Sequence, residues 1–283
     1  GDAFVANLAL IQVEGKTEGF ILSMQEFRRI EALEERVRTD RYPSGSEAKA
    51  TFGQIKTASN AMRRLCEDAA QYAQYDLPVL ITGAFGSDKA QVAQCIHNAG
   101  NRRKSPYVSI DVTGLSPAMQ RTHFAGLRGE HGFKSVFENA HTGTLYIEPV
   151  DLLTPEAQLQ LLSVLRDGFL VRDDGKPLLP VNVRVLCATA RDLGELVQEG
   201  TFFEPLYRRL SQLELRMPSL RERIEDIPTL IEEGLSRCAE RYRKFVTLTP
   251  EAQALLHAHP WEGDALQLSL FLEKLVILAR DKE

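Results

Sequence analysis

One short run, Gly83-Ala84-Phe85-Gly86-Ser87-Asp88-Lys89-Ala90, concentrates the residue types that handle phosphate. It follows the apolar stretch Val79-Leu80-Ile81-Thr82 and leads into a helical pattern. A glycine-bearing turn between a strand and a helix presents backbone amides and the positive end of a helix, with a lysine as point charge. Gly83, Gly86, Ser87 and Lys89 are therefore candidate nucleotide-binding residues. The run departs twice from the pattern G-x-x-x-x-G-K-[ST]. Asp88 stands where a glycine would let backbone approach an anion, and adds bulk and negative charge. Ala90 stands where a hydroxyl would be. The plainer alternative for Lys89 is a solvent-facing helix lysine. Further along, Glu148 closes the apolar run Leu145-Tyr146-Ile147. Arg209, in Leu206-Tyr207-Arg208-Arg209-Leu210, reads with Arg208 as a solvated helix charge.

Alternating strands and helices must hold these residues. Strands are expected at 78–82, 107–111, 144–148 and 182–188, with helices near 57–74, 88–99, 116–124 and 154–167. Such alternation implies a parallel α/β sheet covered on both faces. After Pro218 the pattern turns wholly helical, over 225–242, 249–258 and 264–280, so a small all-α subdomain is expected to follow the sheet. Ahead of it, 3–13 and 18–24 read as two strands joined at Gly15. Residues 25–39 read as a helix with Phe27, Ile30, Leu33 and Val37 on one stripe, and Tyr42-Pro43-Ser44-Gly45-Ser46 reads as a linker. The opening residues read as the middle of a strand, so the chain is expected to be part of a longer protein.

Composition narrows the function classes. The chain has 283 residues, 43% hydrophobic and 26% charged, with a net charge of −5. It shows no dense basic face, so any DNA reader is expected outside residues 1–283. No apolar run is long enough to span a bilayer, no basic-then-apolar start reads as a signal peptide, and a cytoplasmic location is expected. The four cysteines form no C-x-x-C pair and read as buried reduced thiols. No metal spacing occurs among the histidines. His257 and His259, before Pro260, read as a helix end.

Order and context carry a resemblance. Gly143-Thr144-Leu145-Tyr146-Ile147-Glu148-Pro149, Val185-Leu186-Cys187-Ala188-Thr189-Ala190, Leu220-Arg221-Glu222-Arg223-Ile224-Glu225-Asp226-Ile227-Pro228 and Pro260-Trp261-Glu262-Gly263 follow the phosphate-type loop in that sequence. Together, over about 52–281, they resemble the AAA+ domain of the sigma-54-dependent, enhancer-binding transcriptional regulators. Ala48-Lys49-Ala50-Thr51-Phe52-Gly53-Gln54-Ile55 and the hairpin before it look most like the propionate-regulator branch, with a PAS-type sensor. The resemblance implies the end of a sensor at 1–24, a signal helix and linker at 25–51, an AAA+ α/β subdomain at 52–218 and a helical lid at 219–283. It also implies ATP or ADP with magnesium as the cofactor, held by Gly83, Gly86, Ser87, Lys89, Glu148 and Arg209.

Departures from that family shape the functional expectation. An Asp-Glu pair ends the family's metal-site strand, where this chain has Glu148 and Pro149. The sensor asparagine falls at Ala190 and the lid arginine at Leu266; of two arginine fingers one falls at Phe203 and the other matches Arg209, which the resemblance implies would serve a neighbouring subunit's nucleotide. The Gly-Ala-Phe-Thr-Gly-Ala loop that grips the sigma factor is missing between Phe124 and Phe137. The leading expectation is thus a regulator that keeps the fold as a ligand-controlled oligomerisation scaffold, without sigma-54 contact or ATPase activity. It would pair with itself as a dimer or ring, with RNA polymerase as a further partner. The alternative is a nucleotide-binding switch that holds ATP or ADP without efficient hydrolysis.

Overall fold

The computed structural model describes residues 4–13, 16–26, 47–126, 134–170 and 179–279. The chain divides into two compact units, Gly1–Ser46 and Glu47–Glu283. In the first, β1 (Phe4–Val13) and β2 (Lys16–Glu26) pair antiparallel, from Phe4 opposite Glu26 to Val13 opposite Lys16. Residues 25 and 26 thus belong to a strand and not to the expected helix. The rest of that helix, and the segment 127–133 where the contact loop is missing from the sequence, lie outside the described residues.

The second unit is built on a five-stranded sheet ordered β4-β5-β8-β3-β9. These strands are β3 (Val79–Thr82), β4 (Tyr107–Asp111), β5 (Thr144–Glu148), β8 (Arg184–Thr189) and β9 (Glu214–Arg216). Every pairing is parallel. A short antiparallel pair, β6 (Phe169–Leu170) with β7 (Leu179–Pro180), lies apart from the sheet.

Side-chain alternation sends neighbouring residues to opposite faces. Leu80, Ile147 and Val185 join Phe124, Leu161 and Leu206 in one core. Ile81, Tyr146 and Leu186 join Met62, Val92 and Ile96 in the other. All six residues of β8 are buried, as expected of a parallel strand covered on both sides.

The covering helices are α1 (Asn60–Tyr72), α2 (Lys89–Ala99), α3 (Pro117–Ala125), α4 (Val136–Asn139), α5 (Pro155–Asp167), α6 (Leu193–Gln198) and α7 (Glu204–Leu210). Several start where the sequence says they should. Ser116 and Thr154 each precede a proline at the first helical turn, and their hydroxyls accept the amides of Met119 and Ala157. The lid comprises α8 (Ile227–Tyr242), α9 (Pro250–Ala258) and α10 (Asp264–Leu278). Trp261 is the packing anchor of the lid. It is buried among Leu220, Ile231, Leu268 and Leu272, and its indole N–H donates to the Leu256 carbonyl at 2.8 Å. Cys95, Cys187 and Cys238 are buried free thiols, while Cys66 is half-buried. No helix among the described residues is long and apolar enough to cross a membrane.

Candidate functional site

Register brings the chemistry together. The last residue of β3, Thr82, stands opposite Thr189, the last of β8. The last residue of β4, Asp111, stands opposite Glu148, the last of β5. Carboxyl ends of parallel strands form the usual ligand crevice of an open α/β sheet. Here they open on a cleft of about 550 Å³ lined by Ser87, Lys89, Asp111, Glu148, Asp151 and Leu266, among others. A larger cleft of about 740 Å³ lies beyond Gly83 and Ala84 and includes Arg191, Arg216 and Glu222. It lacks Lys89 and Glu148, so the smaller cleft is the one with phosphate-type chemistry.

The loop leaves β3 and enters α2 as the sequence implies. Ser87 is fully buried, and its hydroxyl donates to the Ala84 carbonyl at 2.8 Å. Lys89 is no solvent-facing helix lysine, since its side chain is 3% exposed. Its ammonium donates to Ala84 O at 2.9 Å and Gly83 O at 3.3 Å, and sits 3.3 Å from Glu148 Oε1. Glu148 Oε2 accepts the Tyr146 hydroxyl at 2.6 Å. Burial, then the Glu148 charge, pushes the Tyr146 phenol well above its ordinary range, so it stays a donor.

The lid docks directly on this loop. The Leu266 amide, near the start of α10, donates to the Gly86 carbonyl at 3.1 Å. Gly86 takes φ +83°, and a Cβ there would lie 2.6 Å from Gly263 O. Asp88 takes the left-handed φ of 60°, a conformation Asp tolerates better than most side chains. Its residue surface is exposed, yet protein crowds its carboxyl. That crowding raises its pKa, while Arg223 and Lys89 pull it down and Asp264 pushes it up. Asp88 therefore lies within electrostatic reach of the lid charges Arg223 and Asp264. Asp264, 2% exposed, accepts the Leu220 amide at 3.1 Å and lies 3.6 Å from buried Arg223.

Of the residues singled out from sequence, Gly86, Ser87, Lys89 and Glu148 line the cleft. Gly83 borders it through its carbonyl bond to Lys89. Arg209 is not brought there: it lies on α7 and donates to Leu165 O at 3.1 Å, at the end of α5. Sequence reasoning missed Asp111 and Asp151. Asp111 Oδ1 accepts the Thr113 amide at 2.8 Å, and Asp151 Oδ1 accepts the Thr189 hydroxyl at 2.6 Å. The available signal was position, because each follows or closes a parallel strand. Among the described residues no group of three His, Cys, Asp or Glu side chains could hold a metal alone. Magnesium commonly binds through one or two carboxylates together with substrate phosphates. The carboxylates here fit that mode, a metal arriving with a nucleotide, and not a bare-ion site.

Comparison with known proteins follows the geometry. Residues 55–216 match the family model described as the Sigma-54 interaction domain, and 221–283 match that of the AAA+ ATPase lid domain. The chain is 34% identical over 230 residues to the glycerol metabolism operon regulatory protein of Citrobacter freundii, covering 80% of this chain and 36% of that protein. It is 32% identical over 270 residues to transcriptional regulatory protein ZraR of Salmonella typhimurium, covering 92% and 61%. It is also 32% identical over 228 residues to the DNA-binding transcriptional regulator NtrC of Rhizobium meliloti, covering 78% and 47%. The chain thus spans less than two thirds of these relatives. Among solved structures, NtrX of Brucella abortus in complex with ADP superposes with a TM-score of 0.77 at 30% identity, covering 90% of this chain and 55% of that one. The same protein in complex with ATP gives 0.75 at 31%, covering 90% and 55%.

These matches overturn the expectation of a chain that is not an ATPase. An ATPase lid follows the nucleotide-type core, and a 30%-identical neighbour was solved with ADP. Taken singly, Pro149, Ala190 and Leu266 read as losses. The fold nonetheless gathers Asp111, Glu148 and Asp151 along one cleft, so the missing side chain at position 149 does not leave it without a second carboxylate.

Proposed function

Because this chain belongs to the Sigma-54 interaction domain family, we propose that it is the ATP-binding and ATP-hydrolysing region of a bacterial transcriptional regulator. The observation that carries this is the closed loop–lid arrangement. Lys89 is held buried at the loop opposite Glu148, and the lid's Leu266 amide is bonded to the loop itself. Triphosphate entering the cleft competes with Glu148 for Lys89, and the lid senses the loop through Gly86. ATP or ADP with magnesium is the ligand, and Gly83, Gly86, Ser87, Lys89 and Glu148 contact it.

The finer organisation follows the same reading. The hairpin β1–β2 ends a PAS-type sensor of the propionate-regulator kind, and 25–51 is signal helix and linker. Residues 52–218 are the α/β subdomain, and 219–283 are the lid. DNA is reached through a domain outside this chain. Arg209, which is outside the cleft lining and bonded to the Leu165 carbonyl, serves a neighbouring copy in a dimer or ring. The sequence has no Gly-Ala-Phe-Thr-Gly-Ala motif, which supports a contact with polymerase that differs from the family's sigma-factor grip.

Calorimetric titration of the full chain with magnesium and ATP or ADP, with light scattering for oligomer state, tests this. Micromolar binding is expected. Lys89→Ala removes a charge-assisted hydrogen-bond donor worth about 1.5–3 kcal/mol, so Kd should rise roughly ten- to a hundredfold. No heat at millimolar nucleotide would sink the reading.

A further inference from the structure

The geometry points to Asp151 as the carboxylate that activates water for hydrolysis in this cleft, with Thr189 as its positioning residue. The inference rests on the ATP reading above and adds the group that would do the proton chemistry. Four carboxylates line the cleft. Asp88 belongs to the loop itself, at a left-handed φ of 60° just before Lys89, and the surroundings of the other three separate them. Glu148 has both oxygens engaged, Oε1 with Lys89 and Oε2 with the Tyr146 hydroxyl. Neither oxygen is left open toward a water in the cleft. Asp111 closes β4, which is three strands from β3 in the sheet order, and its Oδ1 holds the turn at Thr113.

Asp151 stands differently. It lies in the single turn Val150–Leu152 after β5, and it reaches across to the end of β8. Its partner Thr189 is fully buried and pairs with Thr82, the residue just before Gly83. Adjacent strands lie about 4.8 Å apart, so Asp151 is tied one strand away from the start of the phosphate-type loop. Thr189 gives its hydroxyl proton to Asp151 Oδ1 at 2.6 Å, much nearer than the Arg191 carbonyl at 3.3 Å, and accepts the Arg191 amide at 3.0 Å. One oxygen is thereby anchored by a neutral donor, and Oδ2 remains the basic atom. Among the described residues no ion pair involves Asp151. Ala190, also lining the cleft, places only a methyl group beside it.

The step balances simply. Water oxygen forms a bond to the γ-phosphorus, and the bond from that phosphorus to the bridging oxygen of ADP breaks with its electron pair. Asp151 Oδ2 takes a proton from the water and returns it to solvent or phosphate. Positioned general bases contribute about 10²–10⁴ in rate.

The full chain should therefore be assayed for phosphate release and, separately, for ATP binding by calorimetry. Asp151→Asn should lower kcat by about a hundredfold or more while leaving the ATP Kd within about threefold. It should also abolish the acidic limb of the kcat–pH profile, which a merely structural role would not move. Thr189→Val should lower kcat at unchanged ATP affinity, and Thr189→Ser, which keeps the hydroxyl, should restore it. This pair keeps the inference testable if Asp151→Asn melts below the assay temperature. Hydrolysis by Asp151→Asn at the wild-type rate would overturn the assignment and leave the ATP reading standing, as would ATP binding lost together with activity. Absence of ATP binding by the wild type would instead overturn the ATP reading, and the assignment with it.

Discussion

Substituting Gly86 by alanine probes the loop–lid junction, and Gly114 supplies its control. Both glycines are left-handed, with φ of +83° and +77°. An alanine in that region costs about 1–2 kcal/mol at either position. The surroundings differ. Around Gly114 nothing lies within 4 Å of a built Cβ, whereas at Gly86 it would meet Gly263 O at 2.6 Å and Leu266 Cβ at 2.8 Å. Neither neighbour is the end of a flexible side chain, so the lid must back away, and the Leu266 N–H to Gly86 O bond of 3.1 Å is lost with it. That bond is worth about 0.5–1.5 kcal/mol beyond the backbone strain. For a domain of this size each kcal/mol moves the midpoint by about 2–4 °C. Gly114→Ala should therefore lower Tm by about 2–8 °C, and Gly86→Ala by roughly 3–14 °C, always the larger of the two. Stiffening of the unfolded chain by alanine offsets both variants equally and cancels in the comparison. Thermal unfolding followed by circular dichroism reads the difference, and limited proteolysis near residues 217–226 should show earlier lid release only in Gly86→Ala. Equal midpoints for the two variants would refute direct docking of the lid on the loop.

Two further predictions concern buried charge. His97 is 3% exposed, and its ring Nδ1 is 2.8 Å from the Thr144 hydroxyl. Burial, and then the Arg184 charge, lowers its pKa from 6.5 to about 4. The folded state thus binds this proton less readily than the unfolded chain. The stability is complete above the unfolded value and is lost as pH falls from 6.5 toward about 4. At about 1.4 kcal/mol per unit, the loss approaches about 3 kcal/mol. Urea unfolding across that window should show the slope, and His97→Gln should flatten it; an unchanged slope in the variant would assign the effect elsewhere. Asp264→Ala leaves buried Arg223 without its carboxylate at 3.6 Å and the Leu220 amide without its acceptor. The expected cost is about 3–5 kcal/mol in equilibrium unfolding, and a cost under about 1 kcal/mol would show that the pair is not the anchor of the lid.

The periodic parts of the fold were legible in the sequence. The four strands expected at 78–82, 107–111, 144–148 and 182–188 appear within two residues of their places, as do the three lid helices. Those segments bury a whole face or both faces, so burial writes itself into their spacing. The elements not foreseen are short. β9 buries only Leu215 between exposed Glu214 and Arg216, and α6 and α7 span too few residues to display a period. A strand of that kind is created by its neighbour β3, not by its own pattern.

The same division governs the site. The loop's residue types fixed its chemistry locally: glycines for the turn, a lysine for the charge and a helix start behind them. Nothing local told whether Lys89 faced water. That depended on Glu148, which arrives through the pairing of β5 with β8 and of β8 with β3. Pro149 looked like the loss of a carboxylate because a sequence presents one position at a time. Asp151 enters the cleft because a single turn after β5 carries it to Thr189, a contact spanning 38 residues of chain. Sequence determines which groups a strand end can offer, since side-chain type and local period are local properties. Which of those groups meet is decided by strand order and register, because parallel neighbours come from distant parts of the chain and only the folded sheet places their ends side by side.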